Sequence, residues 1–111
     1  MKIIDPGHHY EAEVLDDPLF NNQDIVFVKR FRGNKNHAGT INQELIRIMI
    51  HRMKVLDKKI YWEGNAQIIH HLRMALVLHE ARALIRKVEK KELNPEEIKF
   101  SKKDGHFIWK T

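Results

Sequence analysis

The chain has no cysteine and a single serine, Ser101. The first absence excludes disulfide frameworks, Cys-ligated zinc, iron–sulfur clusters and thiol chemistry together. The second leaves one serine nucleophile, in a lysine-rich tail without the elbow sequence that would activate it. Long apolar runs are also missing. No stretch approaches the ~18 apolar residues that span a bilayer, and the opening Met1–Gly7 lacks the apolar core of a secretory signal. These absences predict a cytoplasmic protein without a membrane partner. There is no internal repeat and no low-complexity segment.

What is present suits one small globular domain, residues 1–111. Of the 111 residues, 42% are hydrophobic and 32% charged. That excludes a multidomain enzyme and is too apolar for a disordered chain. A chain of this size buries only about two thirds of its unfolded surface, which favours self-association. Twenty Lys and Arg against 15 Asp and Glu leave a net charge of +5, with eight His besides. The excess favours anionic partners such as nucleotides, phosphates or nucleic acid, although many basic domains have none.

Residue pattern divides the chain into three parts, 1–32, 40–91 and 94–111. In the first, Asp5-Pro6-Gly7 is a turn signal. His8–Leu15 alternates as a half-buried strand, and Asp24–Arg32 is rich in β-branched and aromatic residues. An antiparallel pair is expected. The loop Gly33–Gly39 leads into the second part, which opens with Thr40-Ile41-Asn42-Gln43, a capping box in which Thr40 caps and Gln43 reaches back. The helix that follows places Ile41, Leu45, Ile48, Met49, Met53 and Leu56 on one face and ends near Lys58 or Lys59. After the connector Ile60–Gly64, Asn65 is the expected cap of a second helix running to about Lys91. This helix has two apolar faces: Ile69, Leu72, Leu76 and Ala83 on one, and Met74, Val77, Ala81, Leu84 and Val88 on the other. Two faces imply a helix sandwiched between neighbours, within the chain or in another subunit. The tail, with Ile98, Phe100, Phe107, Ile108 and Trp109 about Lys102–Gly105, reads as a strand, a hairpin or a docking arm. The fold class is α+β: a small antiparallel β part, a two-helix hairpin and a short C-terminal strand or arm.

Catalytic and metal chemistry find no support. His8-His9 and His70-His71 are adjacent pairs, which on a helix point ~100° apart and cannot share an ion. His79-Glu80 begins like a metalloprotease helix, but the second His would fall at Ala83. No catalytic residue, metal ligand or cofactor is therefore assigned. Three binding features remain. The first is the glycine loop ending at the helix that follows Thr40, with Gly39, Gln43, Lys35 and His37 around it. This is an anion site or an ordinary cap. The second is Phe27–Arg32, where Arg30 and Arg32 share a strand face. They grip phosphate, or they only protect an edge strand. The third is Arg73 with Glu80, an internal ion pair or a phosphate ligand at a subunit boundary.

Several of these segments together resemble a known family. Gly39–Arg47, the connector Trp62–Asn65, Leu72-Arg73-Met74-Ala75 and Glu80-Ala81-Arg82 resemble the helical hairpin of the small phage sponges that counter Thoeris and CBASS immunity. Asp5–Glu11 and the strand ending Phe27-Val28-Lys29-Arg30 are similar to the N-terminal part of the Thoeris anti-defence branch. The resemblance covers roughly residues 3–92. It departs at Ile41-Asn42, where a second Thr is common, and at the connector. The resemblance implies a homo-oligomer, a hexamer, that binds cyclic nucleotide second messengers without cleaving them in the host cytoplasm. The implied ligands are cyclic ADP-ribose isomers, with cyclic di- or trinucleotides for some members. Arg30 falls on the motif and is the first expected ligand residue. Arg32, His37, Gly39, Thr40, Gln43 and Arg73 follow, with Phe107 and Trp109 as stacking partners. The alternative is a small basic nucleic-acid-binding phage protein.

Overall fold

The computed structural model describes residues 1–30, 37–91, 98–101 and 106–109. The fold is α+β, with two compact units, residues 1–42 and 43–111.

The first unit is built on a three-stranded antiparallel sheet in chain order, where the sequence suggested a pair. It comprises β1 (Lys2–Asp5), β2 (His9–Ala12) and β3 (Gln23–Val26). β1 and β2 are joined by the turn read from Asp5-Pro6-Gly7: His8 N donates to the Asp5 carbonyl at 3.0 Å. Proline presets the first turn angle, and Gly7 takes the left-handed φ of 81° that glycine adopts without cost. The Tyr10 hydroxyl accepts the Gly7 amide at 2.7 Å and so ties the turn to β2. In the β2–β3 register, Tyr10 faces Ile25 and Glu11 faces Asp24. The ladder extends past β3, where Phe27 N donates to the His8 carbonyl. The Tyr10 and Phe27 rings meet edge to face, centroids 6.0 Å apart.

The second unit holds the helices. α1 (Asn42–Lys59) ends on the two lysines expected to complement its negative pole. Of the apolar set read from the sequence, Leu45, Met53 and Leu56 are half-buried and Ile41, Ile48 and Met49 are exposed, and the most buried row runs beside that set. Gln43, Ile46, Arg47, Ile50, Met53 and Asp57 recur at steps of three and four and are buried or half-buried. α2 (Gly64–Glu89) begins one residue before Asn65, and Glu63 takes the cap position without a side-chain cap bond. Asn65 is instead a buried clamp. Its Nδ2 donates to Asp57 Oδ1 at 3.0 Å and to the Ile60 carbonyl at 3.3 Å. Trp62 packs over Gly64 so closely that a side chain at 64 would collide with the indole ring.

Ten residues back along α1, about 15 Å by helical rise, Arg47 reaches α2. Its guanidinium donates to Glu80 Oε1 at 2.8 Å, and Glu80 is only 1% exposed. Glu44 adds a weaker contact to Arg47 at 3.5 Å. α2 does have two apolar sides, with one residue reassigned and two added. Leu84 is 4% exposed and belongs with Leu76 on the buried side. The outer side gains the exposed Leu78 and Ile85. The tail forms an antiparallel hairpin of β4 (Ile98–Ser101) and β5 (His106–Trp109), with β5 lying against α2. Among the described residues no helix is long and apolar enough to cross a membrane.

Candidate anion-binding loop

Beyond β3 the chain turns away and comes back on itself. Lys29 and His37 face each other in an antiparallel bridge, exchanging both backbone hydrogen bonds at 3.0 and 2.8 Å. Thr40 then crosses beside Phe27 in a parallel bridge. Its amide donates to the Val26 carbonyl at 2.8 Å, and its carbonyl accepts from Val28 at 2.9 Å. Arg30 follows the Lys29–His37 bridge on one strand and His37 belongs to it on the other, and both are exposed. Arg32 and Lys35 lie outside the described residues.

Gly39 has a specific task in this closure. A Cβ at 39 would fall against the backbone of Phe27 and Val28, within 2.6 Å of the Phe27 carbonyl oxygen. Only glycine permits that approach, so the sequence's glycine loop is first of all a close backbone crossing. Thr40 is held by its backbone, two residues before α1 begins at Asn42.

The charges around this loop are not equivalent. Lys29 Nζ lies 3.4 Å from Asp5 Oδ2, and that pair offsets its charge. Phe27 is half-buried against Tyr10, so its ring has a partner within the sheet. The aromatic–basic strand read from the sequence therefore offers a ligand chiefly Arg30, which is in none of the ion pairs found among the described residues. A guanidinium without a carboxylate partner can turn its fork of donors on phosphate oxygens.

The remaining predicted residues lie in the second unit. Gln43 is half-buried on the inward row of α1. Arg73 is exposed on α2 and does not pair with Glu80, contrary to the internal ion pair considered from the sequence. Glu80 bonds Arg47 instead. Phe107 and Trp109 fall on β5, and their side chains lie outside the description. The sequence reading gave Arg47 no role. The signal was there: Arg47 and Glu80 are charged residues on the inward rows of facing helices, and a buried carboxylate needs a partner.

A hollow of about 450 Å³ lies elsewhere, under loop 13–20, beside Leu15 and Phe20 and with Glu13, Asp16 and Asp17 in its lining. Three carboxylates make it the wrong sign for a phosphate ligand. Asp17 holds that loop, accepting from the Leu19 amide at 2.9 Å and the Asn21 amide at 3.2 Å. Among the described residues no three His, Asp or Glu side chains group to hold a metal ion. Comparison with protein families, with curated proteins and with solved structures finds no match to this chain.

Proposed function

We propose that the chain sequesters cyclic nucleotide immune signals without cleaving them, as a phage anti-defence protein acting in the host cytoplasm as a homo-oligomer. The ligands are cyclic ADP-ribose isomers and, as a second class, cyclic di- or trinucleotides. One observation carries the reading. The Lys29–His37 bridge brings the backbone of exposed His37 opposite the strand end that carries exposed Arg30, with Thr40 bridged to Phe27 three residues further on. A pyrophosphate presents several anionic oxygens in a small volume, and a guanidinium fork, an imidazole and a hydroxyl are all donors suited to it. Tight binding of an intact ligand asks for complementarity to the ground state and requires no general acid or base.

The test is calorimetry with a cyclic ADP-ribose isomer, followed by heating of the complex and chromatography of what is released. Intact ligand supports sequestration. Altered ligand replaces it with hydrolysis. No binding, together with salt-sensitive binding of DNA or RNA, replaces it with the nucleic-acid alternative. Arg30→Ala is expected to weaken binding roughly 30- to 150-fold, the worth of a charge-assisted bidentate contact. Arg30→Lys should recover little of the loss, because a point charge cannot replace the fork. A loss of less than threefold for Arg30→Ala moves the ligand away from this loop.

A further inference from the structure

The outer side of α2 carries a pattern that the hairpin leaves unused. Met74, Leu78 and Ile85 are 51%, 68% and 57% exposed. With exposed His71 and half-buried Ala81 and Val88 they form a row whose steps are three, four, three, four and three. That is the a/d spacing of a coiled-coil seam. It lies on the opposite side of the helix from Leu76, which is buried. The row of α1 at the same spacing is half-buried Leu45 with exposed Ile48, Arg52, Val55 and Lys59, and two of those five are cations. The α2 row is uninterrupted from Met74 to Val88.

We propose that this row is a self-association seam on which α2 of a second copy packs antiparallel. Three features select that occupant and orientation. First, one antiparallel register aligns the whole row at once. Leu78 meets Ala81 of the second copy, Met74 meets Ile85, and His71 meets Val88, so the small Ala81 is filled by a large neighbour, as interlocking seams require. A parallel register would set Ala81 against Ala81 and leave a gap. Second, antiparallel packing keeps the cationic C-terminal ends apart and opposes the helix dipoles. A parallel pair would gather Arg86, Lys87, Lys90 and Lys91 of both copies at one end. Third, the same register brings Glu89 of one copy beside His70 and His71 of the other. The need for such a contact is visible in the hairpin itself. Among the described residues only Ile50, Leu76 and Leu84 form its fully buried apolar core. The contact is two-fold and self-closing.

This gives a surface to the self-association named in the nucleotide reading. Its test contains no nucleotide, so either can fail while the other stands. Light scattering at micromolar concentration should give the wild-type chain a mass above the monomer. Leu78→Glu should weaken association roughly 100-fold or more, since a charge would be buried unpaired. Its helicity by circular dichroism should hold, because Leu78 is exposed in the hairpin. The orientation is read by oxidation, which the absence of native cysteine makes clean. A mixture of Met74→Cys and Ile85→Cys chains should form the mixed disulfide, and each variant alone should form little dimer. A monomeric wild type, an unchanged mass for Leu78→Glu, or dimers of each cysteine variant alone in place of the mixed one would each overturn the proposal.

Discussion

The two compact units are held by different means. Among the described residues 1–42 no side chain is fully buried, and what closes the sheet and the loop is backbone pairing: Phe27 to His8, Lys29 to His37, Thr40 to Val26 and Val28. In the helical unit Ile50, Leu76, Leu84, Asn65 and Glu80 are all buried, and side-chain bonds tie the helices. Backbone pairing is largely indifferent to the side chains that ride on it. The first unit can therefore give its exposed positions, Arg30 among them, to a ligand. The second is intolerant at a few positions and tolerant on its outer sides.

The largest expected effect lies in the second unit. Arg47→Met leaves the Glu80 carboxylate without its 2.8 Å partner in a site where Glu80 is 1% exposed. Removing one member of such a pair should cost about 3 kcal/mol. Denaturant unfolding followed by far-ultraviolet circular dichroism measures it. Adding Glu80→Leu should restore most of the loss, because an apolar pair needs no mutual neutralisation. Hydrogen exchange at the Val28 and Thr40 amides should stay unchanged throughout. If those amides lose protection as well, the two units are not separately maintained.

Gly39→Ala is the matching break in the first unit. The added methyl meets the Phe27–Val28 backbone, which cannot move aside as a side chain can. Such overpacking should cost about 2 kcal/mol. The loss should appear as faster exchange at Val28, Lys29, His37 and Thr40, with the amides of α1 and α2 unaffected. Ligand binding at the loop should fall with it, through loss of closure and without loss of any donor.

The same division explains what the sequence made legible. Local signals were sound: the Asp5-Pro6-Gly7 turn, the end of α1 at its two lysines and the two apolar sides of α2 were all readable from neighbouring residues. β1 was missed because Lys2–Asp5 offers only Ile3 and Ile4 as a pattern, and its strand character comes from pairing with β2. The inward side of α1 was legible only in part: Leu45, Met53 and Leu56 are half-buried, but apolar residues lie on both sides of that helix and the buried row also includes Gln43, Arg47 and Asp57. Asn65 was read as a cap because asparagine favours caps, whereas its partners, Asp57 and the Ile60 carbonyl, lie before the connector ends. In the candidate loop, Arg30, His37 and Thr40 were legible as residue types. The reason for Gly39 was not, since it depends on a crossing with Phe27, twelve residues earlier.

Asn65→Ala probes the clamp at a smaller scale. It removes two hydrogen bonds and leaves Asp57 Oδ1 and the Ile60 carbonyl short of a donor near a buried site. The connector end admits water, so the expected cost is about 1–2 kcal/mol. Asn65→Asp should be worse than Ala, because it sets a second carboxylate against Asp57. If Asp is the milder change, the clamp acts by filling space and not by donating.

The smallest effect should come from the most conspicuous side-chain pair of the sheet. His9 Nε2 and Asp24 Oδ1 lie 2.9 Å apart across β2 and β3, yet 34% and 64% of the two side chains is exposed. An exposed pair of this kind contributes about 0–1 kcal/mol, screened further by salt. Asp24→Asn keeps an oxygen acceptor of the same shape and discards only the charge, so the change should be under about 0.5 kcal/mol. The backbone register of Tyr10 with Ile25 and Ala12 with Gln23 does not involve either side chain. Exchange protection along β2 and β3 should therefore be the same in the variant at low and high salt. A loss approaching that of Gly39→Ala would mean that this sheet, like the helices, is held by its side chains, and the contrast between the two units would be lost.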